Sequence, residues 1–180
     1  GTSGKDVNQS LFDNQLTLLN RLKKDDRRTR QVIPLPGMCQ YRTTRRIDGD
    51  YTLKVSDVYR HFADSITAVN DFEHRNFLYE IPYRTLVRKG YDNLITAGRS
   101  ASGEGYAWDI VRVIPPAILT GQAAGCAAAQ ALSDGVGIDG IDVPKLQNTL
   151  ARQNVLLHFD DSWIPKEGEP EVKEGPSNHI

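Results

Sequence analysis

The 180 residues predict a mixed fold, α/β or α+β. Three observations carry this reading. Leucines recur at helical spacing near the start. Short β-branched and aromatic runs bounded by Gly, Pro and Asp fill the middle. An alanine-rich helical pattern follows a Pro-Pro pair towards the end.

In chain order, residues 8–24 read as a helix, with Leu11, Leu16, Leu18, Leu19 and Leu22 as its apolar stripe and Ser10 or Asn8 as N-cap. The basic run at 21–30 is interleaved with Asp25 and Asp26. It suits a solvated helix end whose cations complement the dipole. Residues 31–37 read as the beginning of a strand and a turn. Residues 41–47, the Asp48-Gly49-Asp50 turn and residues 51–55 read as a hairpin. Ser56-Asp57-Val58 then caps a short helix through Phe62, and Ile66-Thr67-Ala68-Val69 is a short strand. The run 78–87 is a strand carrying Pro82, which places it at an edge or a strand start. Residues 93–97 form the next strand, and 100–105 a loop. Pro115 and Pro116 suit the first turn of a helix reaching about Ser133 and ended by Gly135 and Gly137. Asp142-Val143-Pro144 opens a last helix with Leu146 and Leu150 towards a core. After Trp163 the composition reads as a mobile tail.

Charge and composition exclude several classes. With 22 basic and 23 acidic residues the net charge is −1, so no general attraction to nucleic acid is expected. No apolar run is long enough for a membrane span, since 113–132 is interrupted by prolines, glycines and glutamines. The opening Gly1-Thr2-Ser3-Gly4-Lys5-Asp6 lacks a signal-peptide pattern and resembles a domain-boundary remnant, which says little about location; the compartment stays open, with the cytoplasm slightly favoured. Cys39 and Cys126 read as free thiols, and no metal or iron–sulfur site is expected. His61 and His74 read as surface or edge histidines, His158 with Asp160 and Asp161 as a solvated loop, and Trp108 as a packing anchor in a loop.

The most informative stretch is Asn93-Leu94-Ile95-Thr96-Ala97-Gly98-Arg99, then Arg112, then Gly121-Gln122-Ala123-Ala124-Gly125. It reads as a buried strand, a polar loop and a helix whose first turns are almost free of side chains. Such a helix start brings backbone N–H groups and the positive dipole end close to a ligand. Two further blocks precede it: Arg42-Thr43-Thr44-Arg45-Arg46-Ile47-Asp48-Gly49-Asp50-Tyr51-Thr52-Leu53 and Tyr79-Glu80-Ile81-Pro82-Tyr83-Arg84-Thr85-Leu86. In this order the blocks resemble, over roughly residues 42–157, the C-terminal part of FAD-dependent oxidoreductases, the group that includes heterodisulfide-reductase-A-like flavoproteins.

That resemblance implies a two-dinucleotide-fold flavoprotein. The strand ending in Gly98-Arg99 would return to the FAD domain, and the next helix would aim its N-terminus at the pyrimidine edge of the isoalloxazine ring, offsetting negative charge there. The implied FAD-contacting residues are Gly98, Arg99, Ser102, Arg112, Gly121, Gln122 and Ala123, with Gly121 and Gly125 allowing close approach. The implied organisation is a helix and basic linker (1–30), a β-rich substrate or cap side (31–97), flavin-contacting loop and helices (98–157) and a tail (158–180). No Gly-x-Gly-x-x-Gly follows an early strand. The expected partners are therefore an N-terminal FAD-binding half of the same protein, FAD itself and an unidentified small-molecule substrate. The piece alone is expected to be inactive and to hold FAD weakly or not at all. The chain also departs from the family pattern. Gly105 stands where relatives carry a loop histidine, Asp109 where a small residue is usual, and a four-iron cluster motif is absent, so no catalytic acid or base is assigned. Two other readings are a cofactor-free interaction or assembly domain, and a carbohydrate-associated protein with a cleft lined by Trp108, Tyr83 and Tyr106.

Overall fold

The computed structural model describes residues 3–39, 43–74 and 76–166. Two compact units emerge, Gly1–Thr44 and Arg45–Ile180. The expected tail beyond residue 166 and the start of the expected hairpin at 40–42 lie outside the described residues.

The first unit is built on helix α1 (Gly4–Leu22). It begins earlier than the leucine stripe suggests, because Ser3 rather than Asn8 or Ser10 is the N-cap. The Ser3 hydroxyl accepts from the Asp6 N–H at 3.2 Å, and the Asp6 carboxylate accepts from the Ser3 N–H, which satisfies two orphan donors reciprocally. The strand expected at 31–37 does not form. Pro34 and Pro36 lack the N–H groups a ladder needs. The segment instead folds back on α1: Gln15 Nε2 donates to the Pro36 carbonyl at 2.7 Å, and Cys39 Sγ donates to the Val7 carbonyl at 3.0 Å.

The second unit has a two-stranded antiparallel sheet, β1 (Ser65–Asn70) and β2 (Leu78–Pro82), with Ala68 opposite Glu80 and a bulge between Ser65 and Thr67. Three helices follow: α2 (Tyr106–Arg112), α3 (Ile114–Asp134) and α4 (Val143–Arg152). Helices α3 and α4 pack on β1. The core gathers Leu53, Ile66, Tyr79, Ile81, Leu146 and Leu150 among others. Asp142 caps α4 by accepting from the Lys145 N–H, and Gly135 closes α3 in the left-handed region, both as the sequence predicts.

Four expected elements differ. The short helix expected through Phe62 is a single 3₁₀ turn, Val55–Asp57. Residues 43–55 form no hairpin, because distant backbone takes their hydrogen bonds. Ile47 N–H donates to the Ser100 carbonyl, Tyr51 N–H to that of Arg84, and Leu53 N–H to that of Ser102, with a parallel bridge from Leu53 to Gly103. Residues 93–97 form one bridge, Ile95 to Val87, rather than a strand. The would-be partner ends at Pro82 and turns through a 3₁₀ segment, Tyr83–Thr85, so little extended chain is left to pair with. The loop expected around Trp108 is helix α2. It cannot run on into α3, because Pro115 lacks an N–H and its ring would clash with the carbonyl of Val111. The chain bends by 69° there.

After α4 the chain returns along β1. The Ala68 N–H donates to the Leu156 carbonyl at 2.7 Å, and Ser65 Oγ donates to that of Leu157 at 2.6 Å. Phe159 packs into a second small core with Ala68 and Leu78. Among the described residues no single helix is long and apolar enough to cross a membrane.

Burial, then a hydrogen bond to Asp57, pushes the Tyr51 phenol up to about 12; burial does the same for Tyr79. Burial also drives Tyr83 and Tyr106 upward. A native pKa above the unfolded value stabilises the fold while the phenol is protonated. That contribution is complete below the unfolded tyrosine pKa of about 10 and is lost as pH rises through the native value. A titration followed by tyrosinate absorbance and far-ultraviolet circular dichroism should therefore show these phenols ionising together with unfolding. Ionisation of all of them in a fully folded chain near pH ~10 would contradict this burial.

Candidate functional site

The start of α3 faces a cleft of about 640 Å³. Val69, Asn70 and Phe72 form one wall, and Arg112, Ile114 and Pro115 belong to the other. This volume lies within the ~300–1,000 Å³ typical of small-molecule sites. The walls are mostly apolar, with Arg112 and Asn70 as the polar groups. Arg112 Nε donates to Asp109 Oδ1, one helical turn earlier. Val113, the N-cap, offers no side-chain hydrogen bond to the helix start. Of the four N–H groups that a helix start leaves without intrahelical partners, Pro115 and Pro116 lack theirs. The positive helix end here therefore acts more through its dipole than through a row of donors.

The residues singled out by sequence do not gather at one place. Gly98 opens a 3₁₀ turn, Gly98–Ser100, at φ +59°. A Cβ there would also come within 3.2 Å of the Ala117 Cβ, so both backbone and space require glycine. Its N–H donates to Thr120 Oγ1 at 2.9 Å, and that hydroxyl donates to the Pro116 carbonyl at 2.7 Å. The turn is thereby fastened to the first turns of α3. Arg99 is exposed and makes no ion pair among the described residues, while its carbonyl accepts from Trp108 Nε1 at 2.9 Å. Gly121 lies roughly two turns into α3, not at its start. Of the residues singled out, only Arg112 lines the cleft; Gly98 packs on Ala117 and Thr120, and Gly121 lies on the exposed face of α3.

Ser102, Gln122 and Ala123 do not line it. Ser102 is fully buried, its hydroxyl held at 2.9 Å by Arg46 Nη1 and by Thr52 Oγ1. Ala123 follows Gly121 by two positions, about 200° round the helix, and faces the core. Gln122 donates from Nε2 to Gln153 Oε1 at 2.7 Å. The outward face of α3 carries Ile114, Ile118, Gly121, Gly125 and Leu132 at helical spacing. All are exposed, Ile114 by 75% and Leu132 by 86%, and a Cβ at either glycine would meet nothing within 4 Å.

Other expected roles change with the geometry. Gly105 caps α2 at φ +54°, a conformation that strains a histidine side chain. Glu104 faces Lys54 at 3.9 Å, and Tyr106 donates to Asp71 Oδ1 at 2.9 Å. Tyr83 is buried and donates to the Ile138 carbonyl at 2.7 Å, so the aromatic cleft of Trp108, Tyr83 and Tyr106 is not formed.

One cluster has no linear signature. Glu80 on β2 is fully buried, and its Oε2 accepts from the Phe62 N–H at 2.7 Å. Its Oε1 faces His61 Nδ1 at 2.5 Å and His158 Nδ1 at 3.0 Å. His61 Nε2 faces Asp161 Oδ1 at 2.8 Å, and Phe159 stacks on the His61 ring at 4.3 Å. The Asp161 bond, then that of Glu80, raises the His61 pKa above its ordinary value. The His158 and Asp161 pattern is visible in the sequence, but nothing in the spacing links it to residues 61 and 80.

A family profile described as FAD dependent oxidoreductase matches residues 17–150. The chain belongs to this family. No curated protein and no solved structure matches it. Family membership brings FAD and oxidoreduction to the parent family, and the match includes β1, β2, α2, α3 and most of α4. In this family member the Gly98 turn depends on one hydroxyl. Thr120→Val keeps the shape but leaves the buried Gly98 N–H without an acceptor. It should cost about 1–3 kcal/mol, measured by denaturant unfolding.

Proposed function

We propose that this chain supplies the flavin-ring side, and part of the substrate side, of a two-dinucleotide-fold FAD-dependent oxidoreductase of the heterodisulfide-reductase-A-like group. The half that cradles the adenine and pyrophosphate comes from residues outside these 180. The observation carrying this reading is the outward face of α3: exposed isoleucines and a leucine flank two glycines with open space above them. Exposed apolar faces of this kind mark interaction surfaces. Glycine in a helix interior costs roughly 0.5–1 kcal/mol relative to alanine, so two on one exposed face suit a close approach from outside.

The donor set fits one part of FAD and not the other. A largely apolar cleft with Arg112 and Asn70 at the positive end of a long helix suits a flat ring with one electron-rich edge. The described sheet is two-stranded and antiparallel, and the sequence lacks a strand–glycine-rich-loop–helix unit, so the pyrophosphate has no cradle here. Bound FAD supplies the electron-transfer chemistry. Arg112, held in place by Asp109, would face the ring edge and offset negative charge there. The Gly98 turn, fastened to Thr120, steadies the first turns of α3, and Gly121 leaves room for the incoming half. In this reading residues 31–97 face the substrate and residues 98–157 complete the FAD domain.

Visible absorbance after purification with FAD tests this. The 180-residue chain should carry no flavin band, and the protein with both halves should carry one. In that complete protein Gly121→Leu should lower the FAD content. In the chain alone it should raise stability by roughly 0.5–1 kcal/mol, since the site is open and the residue is a better helix former. Stoichiometric flavin on the chain alone would overturn the division into halves. Unchanged FAD content in the Gly121→Leu protein would remove the role given to this face.

A further inference from the structure

We infer that His61, Glu80 and His158 form a binding site for a divalent metal ion of the zinc class, one that ties the segment after α4 to strand β2. The inference is independent of the flavin reading. It rests on what faces what. Glu80 Oε1 has two imidazole nitrogens turned towards it, at 2.5 and 3.0 Å. His61 stands between two carboxylates, Glu80 at Nδ1 and Asp161 at Nε2. A neutral imidazole has one N–H, so it donates to one carboxylate and turns a lone pair to the other. With the proton on Nε2, towards Asp161, the Nδ1 lone pair faces the Glu80 oxygen, and either a second proton or a metal ion can supply positive charge between them. A single metal ion supplies it to both histidines at once.

The donors fit such an ion. One ligand atom from each of the three residues lies within 4.8 Å of the others. Bonds of about 2.0–2.2 Å to zinc place tetrahedral ligands roughly 3.4 Å apart. The two nitrogens need to retreat from Glu80 Oε1 by less than ~1 Å, through small ring rotations. The histidine side chains are 43% and 47% exposed, which leaves them open to solvent, whereas Glu80 is fully buried and held at its other oxygen by the Phe62 N–H. Asp161 on the far nitrogen of His61 is the carboxylate–histidine arrangement that commonly orients a metal ligand. Two imidazoles and one carboxylate suit zinc or a neighbouring first-row ion, with a coordination position left for water. The ion would join three distant parts of the chain, before β1, within β2 and after α4. It would reinforce the two hydrogen bonds that hold residues 156–157 along β1.

The test is calorimetric titration of the untagged, chelator-treated 180-residue chain with Zn²⁺ alone, alongside Co²⁺ titration followed by visible absorbance. One equivalent should bind, with Co²⁺ bands of a low-coordinate site. His158→Ala should abolish this binding, and Asp161→Asn should weaken it about 10–100-fold. Cys39→Ser and Cys126→Ser should leave it unchanged, which excludes a thiolate site. Glu80→Gln should also abolish binding; if that buried substitution prevents folding, the half-exposed His158→Ala decides alone. Absence of Zn²⁺ binding, or binding indifferent to His158→Ala, would overturn the proposal and leave protons as the bridge.

Discussion

Helix α3 can lie close to the rest of the second unit because its inward face is small. Thr120, Ala123, Ala127 and Ala131 line most of it, with Pro116 buried at the first turn and Gln130, bonded to the Asp142 carbonyl, near the end. That face packs on β1 and on the Gly98 turn, where Gly98 meets Ala117 with no room for a side chain. The positive φ of Gly98, the hydroxyl of Thr120 and the alanines form one constraint. Larger inward side chains would lift the helix off the turn and strand the Gly98 N–H. An ordinary surface helix puts its large apolar residues inside. Here several point outward, and fully burying each is worth roughly 1.5–3 kcal/mol.

The other constraint is the buried carboxylate of Glu80. Taking a charge out of water costs several kcal/mol unless partners are well placed. Glu80 has three, from two parts of the chain: the Phe62 N–H and its neighbour His61, and His158. This gathering explains why the chain after α4 stays against β1 and does not drift into solvent. Phe159, buried between Ala68 and Leu78 and stacked on His61, supplies the apolar half of the same attachment.

Much of the helical architecture was legible in the sequence. Pro115 and Pro116, Gly135, Asp142 and the Leu146–Leu150 spacing act within a few residues of themselves, and α3 and α4 stand where those signals place them. The hairpin at 41–55 and the strand at 93–97 were misread because residues 47–53 take their backbone partners from 84–87 and 100–104. Periodicity reports what a segment would like, not what it meets. The site was legible to the same degree. Arg112 lines the cleft and Gly121 lies exposed, whereas Ser102 and Ala123 turn inward, since a residue's face on a helix is known only once the packed side is known.

The sequence by itself determined the mixed fold, the limits of the last two helices and the family blocks, because caps, prolines and apolar spacing are local and additive. The tertiary structure alone decided which face of α3 is left open, and that His61, Glu80, His158 and Asp161 meet. Those outcomes depend on contacts between residues far apart in the chain, set by the packing of several elements at once.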